Sequence, residues 1–557
     1  MNIILFLSFY CTVYVLGRGA LLFILPRNQN KKIDTEAYAG VKYNTFYPII
    51  TLFIFGNLLF LINFFLPLMK ALYIILFVGI IFLIRNFNEK LLIINYKDFF
   101  IKHIFIPSVL SISTYGSRLH FDSGAYHLNY QNWLREEKIN IGLANLNFGY
   151  GFSSILEYLQ AILWFDQNYL YIYFVNLIFY CLLFSFFYDS ILYSKGFLQT
   201  SSFVLVIYGL LDNFGYLGGS NGFFRFQTIA KPDMPFAIIF ILLSQIIIYK
   251  IISNEFTLSD LKLISIFSIF LFQIKLLGLY IGILLLFYLY KFMKVKNINF
   301  TSILKLIRPS LLLGFFWLFK NFLLSGCLLF PLKQSCFKGV NWYVDGYISK
   351  YIYATKIDQK AYFFGENIND WFLTFISKGD NKQILINFFI SIILLIILKY
   401  VLFRNYRNKF FHAFVLFTSF IYIFTWIISS PSPRWGAHIF PFLIISVFVN
   451  SSLSEKVVKH RIFKPATILI ILFTTAMMPR GYSYEIASNN FQTTTVVNIP
   501  EIKYISNISN NGYIVDYENF EPLQCWVNKM CLLSNKSIKS EEFLNYTIFL
   551  PDGTKKW

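Results

Sequence analysis

Residues 118–152 read RLHFDSGAYHLNYQNWLREEKINIGLANLNFGYGF, a polar stretch set between long apolar segments. It holds Asp122, His120, His127, Arg135, Glu136 and Glu137, with glycines at 124, 142, 149 and 151. Charged residues make up only 14% of the chain, so their concentration here is conspicuous. Lipid offers no hydrogen-bond partners, so such a stretch must face water or line a protected cavity. It reads as a catalytic loop that the apolar segments hold at a membrane surface.

The rest of the chain agrees. It has 557 residues, 57% hydrophobic and 20% aromatic, with a mean hydropathy of +0.58. A soluble domain of this size carries roughly 25% charged residues. Apolar runs of about 20 residues, repeated along the chain, match the thickness of a bilayer core instead. About fourteen spans are predicted, at 2–25, 46–68, 71–86, 98–113, 168–188, 197–213, 232–252, 258–274, 276–293, 302–325, 384–403, 410–429, 436–453 and 465–479. The first is too long and too aromatic for a cleaved signal peptide and is read as a retained span.

The formal net charge is +20, which in a soluble protein would suggest nucleic acid as a partner. Here the cations cluster in short loops between apolar runs. Arg27, Lys31 and Lys32 follow the first span, and Arg85, Lys90 and Lys97 separate the third from the fourth. Lys250 and Lys262, then Lys291, Lys294 and Lys296, then Lys399, Arg404, Arg407 and Lys409 fall in alternate loops, followed by Lys456, Lys459, Arg461 and Lys464. All these loops are cytoplasmic together if the N-terminus lies outside. No aromatic-plus-basic nucleic-acid module is visible, so no nucleic-acid partner is expected.

The opposite face then receives the polar regions 114–167, 214–231 and 326–383, the short turn 430–435, and the tail 480–557. The expected organisation is a transmembrane domain over 1–479 and a small extracytoplasmic α/β domain over 480–557, where strand-like pieces such as Tyr513–Tyr517 and Tyr546–Leu550 occur. Cys327 and Cys336 share one external loop, and Cys525 and Cys531 share the tail. Each pair is expected to form a local disulfide in an oxidising compartment. Cys11 and Cys181 lie within spans and are read as inert core thiols.

Asp122 leads the candidates for chemistry. A carboxylate just beyond a span, beside Ser123 and Gly124, can take a proton from an attacking hydroxyl; alternatively it caps the helix that starts near Ser123. His120 and His127 bracket it. The three together have ligand types suited to a divalent cation such as magnesium or manganese, but their spacing matches no tight metal signature. A hydrogen bond from His127 to the acidic residue or to a phosphate fits better. Glu136 and Glu137 belong to a mixed-charge solvated helix face.

A second constellation, Ala230–Phe236 (AKPDMPF), opens the seventh span. Pro232 and Asp233 suit a helix start, while Lys231, with Arg225 and Gln227 upstream, supplies donors that a membrane-borne phosphate needs. Lys275 lies between two short apolar runs and Lys320 near the outer end of the tenth span. Cations in such places face a cavity or a partner, or snorkel to the interface. In SPSPRWGAH, two prolines fix Arg434 for bidentate phosphate contact, with His438 nearby; an interfacial anchor beside Trp435 is the plainer reading. There is no P-loop, Rossmann glycine fingerprint, HExxH or CxxC.

The external loop aspartate, the Lys-Pro-Asp at a later span and the tail on the same face resemble the GT-C superfamily of integral-membrane glycosyltransferases. More narrowly, FDSGAYHLNYQNWL with GLANLNFGYGFSS, QIKLLG, KNFLLSGCLLFP, SPSPRW and QCW…C resemble a family of large bacterial membrane proteins. The resemblance implies an all-α polytopic fold and transfer of a sugar from a polyprenyl-phosphate donor to a cell-surface glycan, lipid or protein. That chemistry belongs to cell-envelope polysaccharide biosynthesis at the outer face of the bacterial cytoplasmic membrane. It implies Asp122 as the base, Asp233 as a second acid that helps to orient acceptor or base, and Lys231, Lys275 and Arg434 as donor-phosphate contacts. The residues themselves add His127 as a catalytic candidate and His438, His120 and Lys320 as candidate substrate contacts. Two features depart from the superfamily: about four spans precede the acidic loop, and Ser123 stands where some members carry a second, metal-binding acid. An O-antigen polymerase or ligase, and a lipid-linked glycan transporter or flippase, are the alternative functions.

Overall fold

The computed structural model describes residues 2–24, 37–38, 41–87, 95–116, 119, 122–165, 168–214, 231–343, 347–363, 365–405, 409–477, 538–543 and 545–551. Over these residues the protein is a bundle of long apolar helices. A helix stands at every one of the predicted span positions. Eight are long and apolar enough in one piece to cross a membrane, including Asn2–Phe23, Asp233–Ser253 and Gly379–Leu402, and the chain is a multi-pass membrane protein.

Burial sorts the helices into an inner and an outer set. The most apolar windows of Leu170–Tyr193 and Asp233–Ser253 are 94% and 83% buried, so these two helices form the centre of the bundle. Both are hydrophobic all round, as a helix enclosed by other helices must be. By contrast Phe77, Phe315, Ile393 and Phe417 point outward from the surrounding helices, where lipid is the solvent.

Close packing is sequence-encoded at the first helix. A Cβ on Gly17 would sit 1.8 Å from the carbonyl oxygen of Tyr47, so only a bare backbone lets helix Asn2–Ile24 lie against Tyr47–Asn63. The next residue, Arg18, is buried and reaches the Asn86 side chain at 2.7 Å and its backbone oxygen at 3.3 Å. It thereby satisfies one of the carbonyl groups left open at the end of helix Leu68–Phe87.

One end of the bundle is tied by a buried charged network. Lys102 Nζ donates to Asp189 at 2.9 Å, Asn44 at 2.8 Å and Thr45 at 3.1 Å, which uses all three of its hydrogens. Asp189 also accepts from Thr45 at 2.7 Å and from the Lys42 backbone at 3.1 Å. Asp98 accepts from Lys42 at 2.7 Å, Tyr188 at 2.9 Å and Tyr193 at 2.5 Å. Lys102 lies in a π-helical turn, Ile101–Phe105, within the helical segment 96–116.

The other end carries the loops predicted to be external. The Cys327–Cys336 disulfide is formed, with an S–S distance of 2.04 Å. Phe330 inside that loop packs on Phe148 and Phe152 at 4.9 and 5.2 Å, so the disulfide loop clasps the FGYGF segment. Of the tail, a hairpin is described: Ile538–Phe543 pairs antiparallel with Tyr546–Pro551. It does not stand apart. Ile141 donates to Thr547 and accepts from Phe549, both at 2.9 Å, which adds a piece of the first external loop to the hairpin edge. Tyr513–Tyr517, Cys525 and Cys531 lie outside the described residues. The reading of Cys11 as a core thiol is corrected: it is exposed on the first helix, whereas Cys181 is buried.

Candidate functional site

Four separate parts of the chain bring five charged side chains into one cluster. Asp122 comes first. It precedes a π-helical turn, Ser123–His127, that runs into helix Leu128–Glu136. Its side chain makes no capping hydrogen bond to that helix, so helix capping does not account for it. Instead Asp122 Oδ2 accepts from Arg434 Nη1 at 2.7 Å and lies 3.6 Å from Lys231 Nζ. π-turns of this kind recur at functional sites because they re-aim side chains that a regular helix would place elsewhere.

Asp233 is the first residue of helix Asp233–Ser253, with Pro232 as its N-cap. The helix start places a carboxylate at the positive end of the peptide dipoles. Its Oδ1 accepts from Lys275 Nζ, and its Oδ2 lies 3.6 Å from Arg434 Nε. Arg434 thus bridges the two aspartates.

Lys275 is delivered by a break in the helical path. Helix Leu258–Ile274 ends there, and Lys275 takes an extended conformation before the 3-10 turn Leu276–Ile281. The Gly278 amide closes the turn on the Lys275 carbonyl at 2.8 Å. A Cβ on Gly278 would lie 2.6 Å from the Phe272 backbone nitrogen, so the break needs glycine. Gly278→Ala should force the turn open and draw Lys275 off Asp233, lowering stability by about 1–3 kcal/mol; a thermal-unfolding series on detergent-solubilised protein reads this directly.

Arg434 sits on a pinned turn. The Ser432 carbonyl accepts from Trp426 Nε1 at 3.1 Å and from the amides of Trp435 and Gly436 at 3.2 and 3.0 Å. Pro431 and Pro433 restrict the backbone on either side. Trp435 presents its ring to Lys275, 4.7 Å from Nζ to centroid.

The cluster has a deep side and an open side. Asp233 and Lys231 side chains are 6% and 7% exposed, against 19% for Asp122 and 36% for Arg434. Three cations face two carboxylates, so with all five ionised the set carries a net +1. Burial and the Arg434 guanidinium push the Lys231 ammonium down to about 8, with Asp122 and Asp233 pulling the other way. Its proton is therefore lost as pH rises through about 8, and an anion held by this group should bind more weakly across pH 7 to 9. Titrating the affinity for sulfate, whose charge is constant over that range, checks the sign, and Lys231→Arg should flatten the curve.

Other expected site residues lie elsewhere. His127 turns Nδ1 to Glu157 Oε1 at 2.7 Å, not to Asp122. Glu157 is a capping-box residue whose second oxygen accepts from the Ser154 amide at 2.7 Å, so His127 is locked to the start of the neighbouring helix, Ile155–Ala161. Ser-x-x-Glu ahead of an apolar run is legible as a capping box, and Glu157 was the signal missed. Lys320 does not snorkel: it is buried, donates to Ser153 Oγ and lies 3.6 Å from the centre of the Trp317 ring. It holds the FGYGFSS segment and makes no contact with the five-residue cluster.

His438 is buried between Phe236 and Phe240, with ring centroids 4.9 and 4.8 Å away. Its Nε2 has no hydrogen-bond partner among the described residues. His438 thus sits in an aromatic surround and is not one of the five charged side chains of the cluster. His120, Arg225 and Gln227 lie outside the described residues. Among the described residues no group of three His, Cys, Asp or Glu side chains assembles to hold a metal ion, and His127, one of the three residues with ligand types suited to a cation, is engaged by Glu157.

No curated protein and no solved structure matches the chain. One protein family does, over residues 1–441, a stretch that contains all five members of the cluster. The chain belongs to the family described as Domain of unknown function (DUF8201).

Proposed function

We propose that this protein is an integral-membrane glycosyltransferase of GT-C type that uses a polyprenyl-phosphate-linked sugar. The observation that carries the reading is the cluster itself: a partly exposed aspartate held among Arg434, Lys231 and, through Asp233, Lys275. A surplus cation at the end of a helix bundle favours an anionic ligand, and a lipid phosphate is the anion that a membrane delivers there.

In the proposed reaction Asp122 takes the proton of the acceptor hydroxyl. That oxygen attacks the anomeric carbon, the bond from carbon to phosphate oxygen breaks, and the polyprenyl phosphate leaves with the electron pair. Arg434, Lys231 and Lys275 neutralise the charge that grows on the leaving phosphate. A single in-line displacement inverts the anomeric centre. The acceptor is a cell-surface glycan, lipid or protein, and the membrane is the bacterial cytoplasmic membrane with the cluster on its outer face.

Two structural features support that geometry. Asn176 in helix Leu170–Tyr193 lies 3.4 Å from the Lys231 carbonyl, while Asp189 in the same helix belongs to the Lys102 network. Thirteen residues of α-helix separate the two by about 20 Å, a distance that supports a cluster and a network on opposite sides of the bilayer. The second feature is the Cys327–Cys336 disulfide, which fits an oxidising compartment.

The exposure of Arg434 keeps a polymerase or ligase as the second reading, since such enzymes rely on arginines. The experiment uses the full chain in nanodiscs with a panel of polyprenyl-phosphate sugars and measures release of polyprenyl phosphate. No release with any donor, or labelling of an Asp122→Cys variant only from the cytoplasmic side, would sink the proposal.

A further inference from the structure

Arg434 is the most exposed member of the cluster, yet its Nη1 is occupied by Asp122. The same oxygen, Asp122 Oδ2, lies within 3.6 Å of Lys231. One carboxylate oxygen therefore serves two cations, the exposed Arg434 and the buried Lys231, whereas the buried Asp233 takes Lys275 through Oδ1 and faces Arg434 through Oδ2. Asp122 thus holds the two cations that an incoming phosphate would need. The arrangement is also wrong for proton abstraction, because a carboxylate bonded to a guanidinium is stabilised as the anion and is a poor base.

Resting on the reading of the cluster as a lipid-phosphate site, we propose that Asp122 is an internal occupant of that site and that phosphate binding displaces it. The phosphate takes over Arg434 and Lys231, and the released carboxylate becomes the base that meets the acceptor hydroxyl. Donor binding thus switches on the base, and Asp122 stays quenched until a donor is present. No covalent bond changes in this step; an Asp122–Arg434 ion pair is exchanged for a phosphate–Arg434 ion pair.

The displacement has a counterintuitive consequence. When only a fraction of molecules has the cations free, the apparent affinity for an anion falls by that fraction. Removing the competing carboxylate should restore it. Asp122→Asn, which keeps the shape and removes the charge, is expected to bind farnesyl phosphate about tenfold more tightly than the wild type. Arg434→Gln should bind it about tenfold more weakly. Farnesol serves as the uncharged control and inorganic phosphate as the free-anion arm, with binding followed by calorimetry on the full-length protein in detergent.

Four outcomes decide between the ideas. Tighter binding to Asp122→Asn supports displacement. Equal or weaker binding there, with loss in Arg434→Gln, overturns displacement and leaves the phosphate-site reading standing. No binding of either anion to wild type or variants removes the phosphate site and the displacement with it. Inorganic phosphate binding as tightly as farnesyl phosphate would overturn the lipid as the source of the anion. If Asp122→Asn does not fold, Asp122→Ser carries the same test.

Discussion

Asp122→Asn should lose sugar transfer by about 10²–10⁴-fold in kcat, the usual contribution of a general base. The loss should fall on kcat while the lipid donor binds more tightly, because the amide keeps the volume of the side chain, cannot take a proton and no longer competes with the phosphate for Arg434. Arg434→Gln offers the contrast, with a higher KM for the lipid donor as well as a lower kcat, since Arg434 is assigned both to the ground-state phosphate and to the leaving phosphate. A variant at Asp122 with near-normal turnover would remove the carboxylate from the chemistry and favour an arginine-centred polymerase or ligase.

The largest stability effect is expected far from that site. Lys102→Met leaves Asp189 buried with two neutral donors, the Thr45 hydroxyl and the Lys42 amide, and no cation bonded to it. Removing one partner of a fully buried pair costs about 3–5 kcal/mol, because the remaining charge keeps its desolvation penalty and loses its compensation. The double substitution Lys102→Met with Asp189→Leu should recover most of that loss, since it removes both charges together. Thermal unfolding followed by size-exclusion of the surviving protein would rank the three proteins. If the double variant is no more stable than the single, the network contributes through its hydrogen-bonded geometry and not through charge compensation.

The helices of the bundle were legible because their lengths answer to an external ruler. Hydrocarbon thickness sets how many apolar residues a span needs, and the predicted 258–274 coincides with helix Leu258–Ile274. Local chemistry was legible for the same kind of reason. Pro232 before Asp233 marks a helix start, and two prolines around Ser432 mark a stiff turn; each depends only on neighbours in the chain. Lys231, Lys275, Asp233 and Arg434 could be picked out because charges are rare in such a sequence and expensive near lipid.

What stayed out of reach was partnership. Asp122 and Arg434 are 312 positions apart, and nothing local to either says that one will accept from the other. Cation spacing likewise does not tell Lys275, which reaches Asp233, from Lys320, which reaches Ser153. His127 and Glu157 are 30 positions apart, and their pairing depends on how two helices cross. A membrane sequence declares which segments are apolar and where its rare charges stand, because solvent alone dictates both. Which charges meet depends on helix packing, and that is set by the summed fit of many interchangeable apolar side chains.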